Sequence, residues 1–252
     1  MSSLPIAQYC GLAPKLYAEH GAGRAAAMST AFHALCAGNE SPMLSLTAAE
    51  REELSEWKKP ADVIVDGTPL PLHYDDANLE LEVALSHGGY PCQASSAMVV
   101  GHLDMGWIRP MGGNRTIAFV GDIKKSRWTT VDGPETLQLH AYGLAYAQEA
   151  ECDGWTTGIW LPIDGEWIWS ERVIMLGSEE HAEIWAKILW ACDSEDLARQ
   201  SASTGPHCDN CYARLHCPEF TLPAVLSTTE LGPVAAGMVP SPEQAAKMLR
   251  WI

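Results

Sequence analysis

An α/β architecture, a central mixed sheet flanked by helices, is what this chain leads one to expect, and five segments carry the expectation. Ala97 to Ile108 is apolar and β-rich, and Arg115 to Lys124 runs Thr-Ile-Ala-Phe-Val-Gly-Asp-Ile-Lys, so both read as strands. Asp132-Gly133-Pro134 then punctuates the chain, and Pro134 is well placed as the first residue of a helix running to about Ala150. Trp155 to Pro162 and Trp167 to Ile174 read as two more strands, joined through Asp164-Gly165, a strong hairpin signal.

The remaining elements fill in around these. Gly23 to His33 is a helix-favouring run. Ser41 to Pro60 is polar and Glu-rich, helical in character from Thr47 to Lys58, and is expected to form an arch or lid over a site at the strand ends. Asp62-Val-Ile-Val65 is a candidate short strand leading back to the core. The alternation Trp167-Ile-Trp169 fits one buried face; packing is favoured over stacking on nucleic-acid bases. Ser178 to Arg199 reads as an amphipathic helix, with Ser178 as its cap and acidic residues in its first turn. Beyond Pro218 the chain is punctuated by proline, and Ser241 to Ile252 reads as a short docked helix.

With 252 residues, 47% of them hydrophobic, the chain can bury one substantial core, and a single domain over residues 1–252 is expected. No apolar run reaches bilayer-spanning length, so no membrane partner is expected. The eight cysteines are unevenly spaced and no signal peptide is evident, which favours a reducing cytoplasm over a disulfide framework.

The chemistry concentrates in Gly101-His-Leu-Asp104 and Gly121-Asp122-Ile123-Lys124, with Gln138-Leu-His-Ala-Tyr142 downstream. Adjacent strands would bring the Asp104 and Asp122 carboxylates to one Mg²⁺ or Mn²⁺, hard ions that take oxygen ligands, with the Ile123 carbonyl available as a neutral third ligand. Lys124 follows Asp122 by two residues, so period-two alternation puts both on one face, where Lys124 can hold a water or offset charge on phosphorus. Gln138 and Tyr142 are i and i+4 on one helix face. Set against this, a surface Asp-x-Lys is commonplace, and a Gln beside a core Tyr needs no chemistry.

The order Gly-x-x-Asp, Asp-x-Lys, Gln-x-x-x-Tyr resembles the RecB-like nucleases of the PD-(D/E)XK superfamily, and the resemblance spans Cys10 to Pro218. It implies a restriction-endonuclease-like core and a DNA phosphodiesterase acting on single-stranded DNA or DNA with free ends, hence an exonuclease. It also implies that His33 ligates the metal beside Asp104 and Asp122, that Lys124 serves the nucleophile, and that Gln138 and Tyr142 orient Lys124 or contact the strand backbone. Glu82 matches the acidic residue often found ahead of Gly-x-x-Asp in that family, with Glu80 as its competitor.

A second signal is Cys208-Asp-Asn-Cys211-Tyr-Ala-Arg-Leu-His-Cys217-Pro218, three cysteines at metal-ligand spacing. Thiolates select zinc or an iron–sulfur cluster, and spacing does not separate the two. His207, His216, Cys10 and Cys36 all compete to be the fourth ligand. The resemblance implies a 4Fe-4S cluster, because a subset of RecB-like nucleases, including CRISPR-associated and phage-encoded exonucleases, pairs one N-terminal cysteine with a compact C-terminal three. Cys10 fits that position, though Gly11 follows it where the family usually has proline. Residues 1–22 and 200–220 would then form a cluster region stapling the chain ends, with Zn²⁺ as the alternative. A phage-encoded protein would work in the host cytoplasm.

Charge opposes the DNA expectation. A net charge of −16 is the reverse of the usual phosphate-binding footprint. Arg109, Arg115, Lys124, Lys125 and Arg127 fall in one short section and are expected to form a positive lip. The other expectation is a catalytically weak or inactive nuclease-fold protein that binds a partner, as in a recombination or CRISPR complex.

Overall fold

The computed structural model describes residues 23–65, 71–112, 114–125, 133–197 and 217. Cys10, Cys208, Cys211, His207, His216, Arg127 and the segment 241–252 lie outside these, and with them most of the expected cluster region. The described residues form an α/β fold around a mixed sheet of six strands. Strands β1 (Asn78–Leu85), β2 (Val99–Met111) and β3 (Arg115–Ile123) make an antiparallel meander. Strand β4 (Gly154–Leu161) runs parallel to β3, and a parallel neighbour needs a crossover, which helix α3 (Leu137–Glu149) supplies. β5 (Glu166–Trp169) follows through a turn with Gly165 at φ 73°, while β6 (Ile174–Met175) pairs with the other end of β4. The order across the sheet is β1-β2-β3-β4-β5.

Helices cover both faces. On one lie α3 and α4 (Glu179–Leu197), with Leu144, Ile184 and Ile188 packed on Leu103, Val120, Trp155 and Ile159. On the other lie α1 (Gly23–Cys36) and α2 (Ala48–Ser55), where Phe32, Leu54 and Trp57 meet Met105, Trp107, Phe119 and Trp160. β4 is buried along its whole length, as a strand covered on both faces must be.

Several boundaries differ from expectation for local reasons. Pro134 sits in a 3-10 turn, Gly133–Glu135, and α3 starts at Leu137 because the Thr136 hydroxyl accepts the Leu139 N–H at 3.3 Å. Ser178 does cap α4, accepting the His181 N–H at 3.1 Å. The second hairpin strand stops at Trp169 because Ser170 and Arg172 turn aside to bind Glu135. Asp62 to Val65 contributes only an isolated bridge, Val63 to Leu72. The Ser41–Pro60 segment is docked rather than arched. Thr47 and Glu50 close a capping box on α2, the Trp160 indole donates to the Lys58 carbonyl at 2.8 Å, and Lys125 reaches Glu53 at 2.8 Å while lying over the Trp57 ring. Trp167 and Trp169 are packing residues, stacked at 5.1 Å and edge-on to Trp107.

Side-chain alternation reverses in the middle of the β1–β2 pair. Leu79 and Met105 face each other and pack on the α1/α2 side, whereas Leu81 and Leu103, the next facing pair of that parity, pack on the α3/α4 side. Between them stand Glu80 and Asp104, and Glu80 has a left-handed backbone, φ 53°. One such residue rotates the strand out of phase without shifting its register.

A polar network ties α3 to the sheet. The Trp155 indole donates to His140 Nδ1 at 3.3 Å, so His140 carries its proton on Nε2 and donates to Glu135 at 3.2 Å. Glu135 also accepts from Ser170 and Arg172, and Arg172 pairs with Glu180. The His140 hydrogen bond, with Ser170 and Arg172, holds the Glu135 carboxyl at about 2, below its ordinary 4.5, against the opposing effect of burial. A carboxylate depressed in the folded state stabilises fully above its unfolded value and loses that contribution as pH falls through the folded one. Stability is therefore expected to decline from pH 4.5 towards 2, and Glu135→Gln to flatten that decline in urea titrations across the window.

Candidate functional site

The site lies where β2 and β3 meet below the reversal. Met105 faces Gly121, so one further step of the antiparallel register sets Asp104 opposite Asp122. Both are buried, at 9% and 5% exposure, among apolar strands. Each carboxylate has its own support. Asp104 Oδ2 accepts the Ile123 N–H at 2.8 Å, and Asp104 Oδ1 lies 3.0 Å from His33 Nδ1. Lys124 Nζ is 2.6 Å from Asp122 Oδ2, forming an ion pair. Lys124 lies just past β3, and its own N–H donates to the Trp160 carbonyl at 3.0 Å, which extends the ladder and fixes the side chain on the Asp122 face.

Helix α1 delivers His33. Phe32 and Met28 are buried against the sheet, and the neighbouring His33 reaches Asp104 on β2, with Ser29 Oγ 3.4 Å from its Nε2 one turn earlier. Burial alone would lower the His33 pKa; the hydrogen bond and charge of Asp104, with Asp122 behind, raise it above the ordinary value. Burial likewise works to raise Asp104, but His33, Asp122 and the Ile123 amide hold it below the usual carboxylate range. Asp122 goes the other way. Burial pushes it up, Lys124 offsets this in part, and the facing Asp104 adds to the rise. Lys124 is kept above its usual value by Asp122 against burial.

Helix α3 supplies the third side. Gln138 Nε2 donates to the Tyr142 hydroxyl at 2.9 Å, as i and i+4 spacing requires, and burial raises the Tyr142 phenol to about 12. Tyr142 lies directly across Gly101, where any Cβ would overlap its ring and hydroxyl. The glycine of Gly-x-x-Asp thus makes room for the tyrosine of Gln-x-x-x-Tyr.

The structure brings together His33, Asp104, Asp122, Ile123, Lys124, Gln138 and Tyr142. It also brings in Glu80 and leaves Glu82 out. Ligand atoms of His33, Glu80 and Asp104 lie within 4.8 Å of one another, an arrangement able to hold a cation. Glu80 occupies the β1 position opposite Asp104, whereas Glu82 faces His102 farther along the strand. Nothing in Leu-Glu-Leu-Glu distinguishes the two; the left-handed turn at Glu80 does, and a glutamate there has no sequence signature.

The positive lip is not formed among the described residues. Arg109 pairs with Asp76 at 3.0 Å, Lys125 with Glu53, and Arg115 opens β3 at the end away from Asp122. Cys36 packs with the α1/α2 core, and burial pushes its thiol up to about 11, away from a thiolate ligand. Cys217 is buried. No helix among the described residues is long and apolar enough to cross a membrane. Comparison with protein-family models, with curated proteins and with solved structures finds no match for this chain.

Two substitutions test the geometry. Gly101→Ala is expected to displace Tyr142 and cost about 1–3 kcal/mol, as overpacking does, seen as a lower urea midpoint. Glu80→Gly is expected to leave stability unchanged or raise it by up to ~1 kcal/mol, because glycine adopts the left-handed backbone without strain.

Proposed function

We propose that this chain is a metal-dependent DNA nuclease of the RecB-like, restriction-endonuclease-like type, hydrolysing phosphodiester bonds. The observation that carries the reading is the convergence of His33, Glu80 and Asp104 on one point, beside the Asp122–Lys124 pair. Around it the order of elements, helix, three-strand meander, crossover helix and parallel strand, supports a PD-(D/E)XK core. The donor set suits Mg²⁺ or Mn²⁺, being mostly carboxylate oxygen with one imidazole. Bound there, the ion would polarise a phosphoryl oxygen and acidify a water.

The protein's own groups then do the positioning. Lys124 Nζ, held by Asp122, donates to the attacking water or to a non-bridging phosphate oxygen as charge develops there. Tyr142 and Gln138 back this corner from α3, and the buried tyrosine acts through the site rather than on a strand backbone. A preference for single-stranded or end-containing DNA, and hence exonuclease action, belongs to the same proposal. So does a 4Fe-4S cluster on Cys10, Cys208, Cys211 and Cys217, which visible absorbance would distinguish from Zn²⁺.

The net charge of −16, with Arg109 and Lys125 already paired, supports a second reading, a weak or inactive subunit that depends on a partner protein for DNA. End-labelled single-stranded and duplex DNA, incubated with Mg²⁺ or Mn²⁺, separates the two. The nuclease reading expects cleavage by the wild type, reduced roughly a hundredfold or more in Lys124→Ala and in Asp122→Ala. No cleavage by properly folded wild type with either ion supports the partner-dependent reading.

A further inference from the structure

We propose that a single DNA strand leaves the site over the exposed end of the β1–β2 pair, and that His102 holds the phosphate next to the scissile one through a ring N–H. This rests on the nuclease reading and adds to it a substrate-binding residue and a direction for the strand. Strand parity defines the surface. Val83, Leu85, Val99 and Leu103 pack on the α3/α4 side, and Gly101 meets Tyr142 there. Glu82, Val100 and His102, which alternate with them, therefore face the side from which His33 reaches Asp104. All three are exposed, Val100 at 44%. His102 stands two residues before Asp104, about 7 Å away along the strand. The β2–β3 register, continued past Asp104 and Asp122, brings it level with Lys124.

In the other direction the same face is closed. Met105, Trp107, Phe119 and Trp160 lie under Phe32, Leu54 and Trp57 of the α1/α2 layer. Among the described residues the sheet is bare on the β1–β2 side of the site, so a strand with one phosphate beside Asp104 can run on over His102 and Val100. The chemistry there suits a phosphate. Arg109, Lys125 and Arg172 are occupied by carboxylates, whereas His102 makes no hydrogen bond or ion pair among the described residues. A neutral imidazole still carries one N–H, so the contact does not depend on protonation. Such a contact fixes the strand's position without reading its sequence. Val100, the next residue on that face, offers the adjoining sugar an apolar surface. Glu82 faces His102 across the pair and repels a phosphate set over β1, which confines the strand to β2.

Binding of a labelled single-stranded oligothymidylate to the full chain, followed by fluorescence anisotropy in Ca²⁺, tests the contact apart from Mg²⁺-supported cleavage. His102→Ala is expected to weaken binding about tenfold, as loss of a hydrogen bond to a charged acceptor does. His102→Arg is expected to restore affinity and to steepen its dependence on log salt by about 0.7, the increment for one cation on a single-strand phosphate. Lys187→Ala, on α4 behind the sheet, is expected to bind like wild type. A strand carrying one neutral methylphosphonate linkage, moved stepwise from its end, locates the contact: the wild type loses affinity at one position, and His102→Ala loses nothing further there. The proposal is overturned if His102→Ala binds like wild type, if its methylphosphonate profile matches the wild type's, or if the wild type does not bind the strand. Failure of the nuclease reading looks different: the strand binds with this pattern, but neither Mg²⁺ nor Mn²⁺ brings a cut.

Discussion

Two buried carboxylates facing each other across adjacent strands are the constraint around which the rest of this structure is arranged. In a low-dielectric interior such a pair repels strongly and is tolerated only with compensating partners. Those partners come from different parts of the chain: His33 from α1, the Ile123 amide from β3, Lys124 from the end of that strand. Meeting the demand requires α1 to sit on one face and α3, with Tyr142 and Gln138, to close the other.

Glycine and tryptophan divide the packing around this centre. Gly101 admits Tyr142, and Gly143 on α3 admits the indole of Trp155, so helix and sheet approach closely where a Cβ would hold them apart. On the opposite face the space is filled by indoles, Trp107, Trp160, Trp167 and Trp169, whose N–H groups mostly find carbonyls: Trp107 donates to His73, Trp160 to Lys58 and Trp167 to Ala61. Trp169 Nε1 has no such partner among the described residues.

Much of this was legible in the sequence because it follows from periodicity. Apolar, β-rich runs located β2 and β3, and the two-residue step from Asp122 to Lys124 placed the pair on one face. The four-residue step from Gln138 to Tyr142 put both on one helix face, where the structure joins them by a hydrogen bond. What escaped was whatever depends on a single backbone torsion or on a distant partner. Glu80 and Glu82 look alike until the strand turns left-handed at the first of them. Arg109 and Lys125 look free until Asp76 and Glu53 are brought beside them from remote positions. Pro134 is a sound helix opener, yet Thr136 had the hydroxyl to cap α3 two residues later.

The reversal of alternation also bears on how the protein unfolds. The β1–β2 hairpin contributes Leu79, Met105 and Trp107 to one core and Leu81, Val83 and Leu103 to the other, so a single pair of strands is a structural member of both layers. Neither layer can detach without withdrawing half of the hairpin's apolar contacts and leaving the other half poorly supported. The two helical faces are thereby joined into one cooperative unit, and the slowest amide exchange belongs at the crossover point, with Leu103 and Met105, rather than at the centre of either core.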